Sequence, residues 1–152
     1  MSSSGKGRSV TIHDVEAQLP WGFHDADLLR YEVDFENQSA AFYFRIPVDE
    51  HQTRVRPGRL DVDGLYFVAV TPPMNEDFDD RLWIDSSSDN WGEDPTTLPP
   101  IPGGHFLHSF FRNESGMYIH IVAREAAFQW LGDEVLAGED RPTLHYPGET
   151  IP

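Results

Sequence analysis

Side-chain alternation in residues 29–36 sets the strongest limit on what this chain can fold into. Leu29, Tyr31, Val33 and Phe35 fall on one side, and Arg30, Glu32, Asp34 and Glu36 fall on the other. A period of two is that of a half-buried strand. Asn37, Gln38 and Ser39 supply a turn. In residues 40–48, Phe42, Phe44, Ile46 and Val48 then share one face against Tyr43 and Arg45. The two runs are therefore expected to pair as an antiparallel hairpin. Pro47 has no backbone N–H to give a ladder, which places the end of the second run at an edge.

The same pattern recurs downstream. Leu60 and Val62 alternate with Arg59, Asp61 and Asp63, and Gly64 marks a turn or bulge before the apolar run 65–70, which Thr71, Pro72 and Pro73 stop. Residues 81–85 read as a short strand and 86–104 as a loop rich in Pro and Gly. Residues 105–111 and 116–123 form a second hairpin. Tyr118, His120 and Val122 lie on one face of it and Met117, Ile119, Ile121 and Ala123 on the other, so it is expected to be central. Ala126, Ala127, Phe128, Trp130 and Leu131 satisfy neither period, leaving 124–131 as a short helix or a strand extension. The expected fold is mainly β, β-rich α+β at most. It is a single antiparallel sandwich or strongly curled sheet, in which 124–131 is the one candidate for a short helix. Residues 1–10 read as a disordered leader, 11–131 as one β-rich domain and 132–152 as a polar tail.

A chain of 152 residues with 10 Phe, 5 Tyr and 4 Trp has enough apolar surface for one core without staples. It has no Cys, which excludes disulfides, thiolate metal sites and cysteine nucleophiles and fits a cytoplasmic location. No run of 18 apolar residues occurs, so no membrane span is expected. Phosphate-cradling glycine motifs, the nucleophile elbow and HExxH are all missing, and no cofactor is expected.

Charge is the other strong feature. There are 26 acidic against 11 basic residues, a net charge of -15. Residues 75–94 and 132–152 carry -11 of that. The first segment holds Glu76, Asp77, Asp79, Asp80, Asp85, Asp89, Glu93 and Asp94. These eight are the candidate contacts for a basic protein partner. Such a field repels nucleic acid and anionic membrane, and it attracts a basic surface over long range. Arg54, Arg56 and Arg59 are the only basic cluster, and they lack the interleaved aromatics of a nucleic-acid patch.

The densest constellation is LPWGFHDADLL, residues 19–29. His24, Asp25 and Asp27 are the candidate catalytic residues, since a carboxylate beside an imidazole raises its basicity and fixes its tautomer. Trp21 and Phe23 would line the accompanying pocket. The competing reading is structural, with Asp25 tying down a turn at the entry to a strand. His105 and His108 have helical metal spacing, but in an extended segment residues three apart face opposite ways. The acids of 85–94 depart from the calcium-loop spacing. No metal is expected.

Trp21-Gly22-Phe23-His24-Asp25-Ala26, followed by Leu28, Leu29 and an alternating strand, resembles the FHDA signature of small bacterial proteins of the immunity protein 50 type and related families. Phe110-Phe111-Arg112-Asn113, Tyr118 to Ala123 and Phe128-Gln129-Trp130 resemble their closing hairpin. The resemblance covers about a third of the chain. It implies a non-enzymatic protein that neutralises a toxin by binding it, which suits the charge. Two alternatives stay open: a small β-barrel or sandwich enzyme or ligand-binding domain using His24, Asp25 and Asp27, and a structural subunit of a larger assembly.

Overall fold

The computed structural model describes residues 10–71, 82–84, 86–89, 99–112 and 117–137. Seven of the eight acidic partner candidates, Glu76, Asp77, Asp79, Asp80, Asp85, Glu93 and Asp94, lie outside the described residues. Asp89 lies within them and is exposed. The described chain is mainly β, in two antiparallel sheets that do not close into a barrel.

Helix α1 (Ile12–Gln18) opens the fold. Thr11 caps it: its hydroxyl accepts from the Asp14 backbone N–H at 3.1 Å while the Asp14 carboxylate accepts from the Thr11 N–H at 2.9 Å. This reciprocal box satisfies two donors that a helix start otherwise leaves unpaired. Ile12 and Val15 are the buried face. The helix is short, so its stability comes from packing rather than propensity.

The first sheet holds β1 (Asp27–Asp34), β2 (Ser39–Pro47), β3 (Arg54–Asp63), β5 (Leu82–Trp83), β9 (Glu125–Trp130) and β10 (Val135–Leu136). The order is β10-β3-β2-β1-β5, with β9 also on β3. The second sheet holds β4 (Phe67–Thr71), β6 (Ser86–Ser88), β7 (Phe106–Arg112) and β8 (Met117–Ala123), in the order β4-β8-β7-β6. Phe44 of the first sheet and Phe110 of the second pack at 5.8 Å between ring centres, and Phe23 touches both at 4.9 and 5.2 Å. One core thus joins the sheets, with Phe42, Ile46, Leu60 and Val62 facing Ile119, Ile121 and Ala123.

Both expected hairpins form, β1 with β2 and β7 with β8. Several details differ from the sequence expectation. Phe35 does not continue the inward face: it lies in the turn and is 83% exposed. The Asp34 carboxylate accepts from both the backbone and the side chain of Asn37, which ends the strand there. Strand β2 lies between β1 and β3, but its ladder with β1 stops at Arg45, so Pro47 pairs with Val55 of β3 alone and its missing N–H falls at a locally open edge, as expected. Residues 125–130 are a strand, not a helix. Ala126, Phe128 and Trp130 turn inward while Glu125, Ala127 and Gln129 are exposed. Ala127 on the outer face had masked this alternation. Gly58 makes room for it, because a Cβ there would collide with the Phe128 ring. Just beyond residue 131, β10 adds a short edge to β3.

One architectural element governs the rest. Strand β3 pairs with β9 and β4 pairs with β8, so two antiparallel strands leave one sheet together and enter the other. The change of sheet falls at Gly64, with φ +63°, and at Arg124, whose N–H donates to the Asp63 carbonyl at 3.0 Å. Strands that switch sheets through a bend make the corners of such packings.

Candidate functional site

The FHDA segment is where chemistry was expected, and the fold gives each of its residues a separate task. Phe23 is fully buried in the core, and Trp21 is half exposed, so the two do not line a common pocket. His24 is exposed, with Nε2 3.3 Å from the Asp25 carboxylate. Asp25 takes the left-handed conformation, φ +62°. Its N–H donates to the Ile84 carbonyl at 2.7 Å, and its carboxylate accepts from the Gln52 amide. Ala26 is buried, and its carbonyl accepts from Ile84 N–H at 2.8 Å.

Asp27 faces elsewhere. It pairs across the β1–β2 ladder with Arg45, whose Nη1 lies 3.2 Å from Asp27 Oδ2, and both side chains are buried. The segment thus binds α1, β1 and the residues after β5 into one junction. His24, Asp25 and Asp27 do not converge, and among the described residues no group of three His, Asp or Glu is arranged to hold a metal ion.

The other histidines are placed by β7 and β8. His105 precedes β7 and meets the exposed ring of Tyr66 edge to face at 5.8 Å. His108 is fully buried on the inner face, so the two do not share a ligand. Its Nε2 lies 2.5 Å from Ser87 Oγ and 3.8 Å from Glu16 Oε1, while Nδ1 has no hydrogen-bond partner among the described residues. Burial pushes the His108 imidazole down to about 3; the nearby His13 adds to this and Asp89 opposes it. On the outer face His120 Nδ1 pairs with Ser109 Oγ at 2.6 Å. Around His108 the hydroxyl and the nearest described carboxylate meet the same ring nitrogen, which is not the arrangement of a catalytic triad.

A surface that motif reading missed lies on the outer face of the first sheet. Register places Glu32 and Asp34 of β1, Asp61 and Asp63 of β3 and Glu125 of β9 on one side, around the small residues Ser39, Ala41 and Ala127. Asp63 and Glu125 are directly opposite each other, and both are exposed. The signal was present in the alternating acids of residues 32–34 and 61–63, but only strand order joins them. Beside this acidic end the arginines are occupied. Arg59 Nε pairs with Asp61 at 3.0 Å, and the Arg30 head stacks on the Tyr43 ring at 4.4 Å. Of the sequence's basic cluster, Arg54 reaches Glu134 at 3.5 Å, and Arg56 lies over Trp130 and donates to the Gly132 carbonyl.

Compared with known proteins, the chain matches no family model, no curated protein and no solved structure. Among the described residues no helix is long and apolar enough to cross a membrane.

Proposed function

We propose that the chain is a non-enzymatic acidic binding protein, an immunity-type inhibitor that covers the basic surface of a toxin. The observation that carries the reading is the outer face of the first sheet, where Asp63 and Glu125 stand opposite each other with Glu32, Asp34 and Asp61 nearby. Like charges directly opposed across a ladder destabilise a sheet, so a fold that retains them has a reason to do so outside its own packing. A cationic side chain from a partner would relieve the repulsion and gain two carboxylates at once. Ser39, Ala41 and Ala127 leave the face shallow enough for such a side chain to reach the sheet. The net charge of the whole chain, -15, would speed the encounter.

The test is co-purification from the source cell, with the products of neighbouring genes co-expressed, at low and high salt. The reading expects a basic partner whose capture weakens as salt rises and is lost in the Asp63→Lys, Glu125→Lys double variant. Capture that strengthens with salt, or that ignores the double variant, counts against it.

A further inference from the structure

The corner at which the strands change sheet encloses an open depression of about 380 Å³ lined by Gln38, Gly64, Leu65, Tyr66, His105 and Arg124. That size falls in the range of small-molecule sites, roughly 300–1,000 Å³. Four connections meet there: the β1–β2 turn, the two sheet crossings and the loop leading into β7.

Its geometry is held from behind by the backbone. Gln38 is left-handed, φ +51°, and its carbonyl accepts from Leu65 N–H at 2.8 Å. A glutamine gains nothing from that conformation by itself, so the surrounding bonds impose it. Tyr66 N–H donates to the Val122 carbonyl at 2.8 Å, which fixes the start of its side chain. The Tyr66 ring is 53% exposed and meets His105 at an interplanar angle of 67°, so the two rings form an angled wall.

Arg124 completes the lining. A Cβ on Gly64 would lie 2.6 Å from Arg124 Cγ and 2.7 Å from Cδ, so the arginine stem rests directly on the glycine backbone. Gly64 thus supplies both the positive φ of the bend and the flat bed on which Arg124 lies. Arg30, Arg45, Arg54 and Arg59 are each matched to a carboxylate; Arg124 makes no ion pair among the described residues. An exposed guanidinium at the mouth of a depression, beside two rings and an amide, is the donor set for an oxyanion attached to a flat body.

We propose that this corner binds a small aryl oxyanion, with the carboxylate or phosphate on Arg124 and Gln38 and the ring against Tyr66 and His105. The negative field of the whole chain opposes polyanions such as nucleic acid, so the site selects a small molecule that carries one oxyanion group. This inference is independent of the inhibitor reading, because it needs no protein partner.

The test uses the full chain, isotopically labelled, titrated with benzoate and with phenyl phosphate while amide signals are followed. Cyclohexanecarboxylate serves as the control without a flat ring and benzyl alcohol as the control without charge. Saturable shifts confined to residues 38, 64–66, 105 and 124 are expected for benzoate, phenyl phosphate or both, and their relative affinities identify the preferred oxyanion. Arg124→Gln should weaken binding about tenfold or more, as loss of a charge-assisted hydrogen bond does. Arg124→Lys, which keeps charge but loses the planar fork, should fall between. Tyr66→Leu should remove the preference for benzoate over cyclohexanecarboxylate. Shifts that do not saturate, that spread over the surface, or that persist equally in Arg124→Gln with its spectrum otherwise unchanged would overturn the proposal.

Discussion

His108 should make this fold acid-sensitive by an amount that one substitution can isolate. The ring is fully buried with Nδ1 unpartnered. A buried N–H without a partner is worse than a buried lone pair without one, so the geometry assigns the neutral ring with its proton on Nε2, donating to Ser87 Oγ. Protonating Nδ1 would place a second N–H, and a charge, where nothing accepts it. Burial thus pushes the native imidazole down to about 3 from its ordinary 6.5. Between those values the unfolded chain binds the proton and the folded chain does not, so stability is complete above about 6.5 and falls as the pH drops toward 3. Each unit of pKa difference is worth about 1.4 kcal/mol, so the loss reaches roughly 3 kcal/mol by pH 4.5 and on the order of 5 kcal/mol below pH 3. Urea unfolding of the wild type and of His108→Gln between pH 7.5 and 4.5 measures it. Glutamine can still bond Ser87 and does not titrate, so the stability difference should shift in the variant's favour as the pH falls. Other acid-linked groups, such as Asp34 and Asp49, whose carboxyls are held low by hydrogen bonds, cancel in that difference. A difference that stays constant with pH, or a His108 ring signal that titrates near 6.5, would refute the reasoning.

Asp63→Asn or Glu125→Gln should each stabilise the free protein by about 0.2–1 kcal/mol in thermal or urea unfolding, because either removes the opposed like charges. Asp27→Asn should destabilise by about 1–3 kcal/mol in the same assays, because the buried guanidinium of Arg45 exchanges a charged partner for a neutral amide. Gly58→Ala should cost about 1–3 kcal/mol, since the added methyl displaces the Phe128 ring from β3. His24→Ala, at an exposed position, should change stability by less than about 0.5 kcal/mol.

The sequence was most readable where one face of a strand is buried and the other is wet. Residues 29–34 and 40–46 show their pairing because core and solvent impose opposite demands on alternate positions. The second hairpin was readable for the opposite reason: His120 and Val122 are buried behind a face that already holds Ile119 and Ile121, so apolar residues on both sides signalled a central position. Helix α1 was not seen, because seven residues give a helical period too little length to register, and its one clear mark is the Thr11–Asp14 box. Strand β9 was ambiguous because Ala127 is small enough to sit exposed without penalty. Within the candidate site, FHDA was visible as a cluster, but its residues are neighbours in sequence that the turn sends in different directions. The outer acidic face was invisible for the converse reason. Its carboxylates come from three strands, and only the order β1-β2-β3-β9 brings them together.

The two surfaces nominated here for binding share one physical origin. In the interior of a sheet, alternation leaves each residue only the choice of core or solvent, and neighbouring strands fill the space beside it. Where β3 passes into β4 and β8 into β9, the chain leaves that lattice through Gly64 and Arg124. Asp63 and Glu125, the last paired residues before the bend, stay on the outer face of the first sheet. Tyr66 and Arg124, just past it, are released to line the corner. A single glycine thus separates an acidic face from a cationic corner, and Gly64→Ala should disturb both. The added Cβ is strained at φ +63° and strikes the Arg124 stem. Displacing that stem would lower affinity for an aryl oxyanion and also change the cationic neighbour of Glu125. If instead the variant kept its fold and its benzoate affinity, the corner would not depend on the contact that defines it, and the link between bend and binding would be wrong.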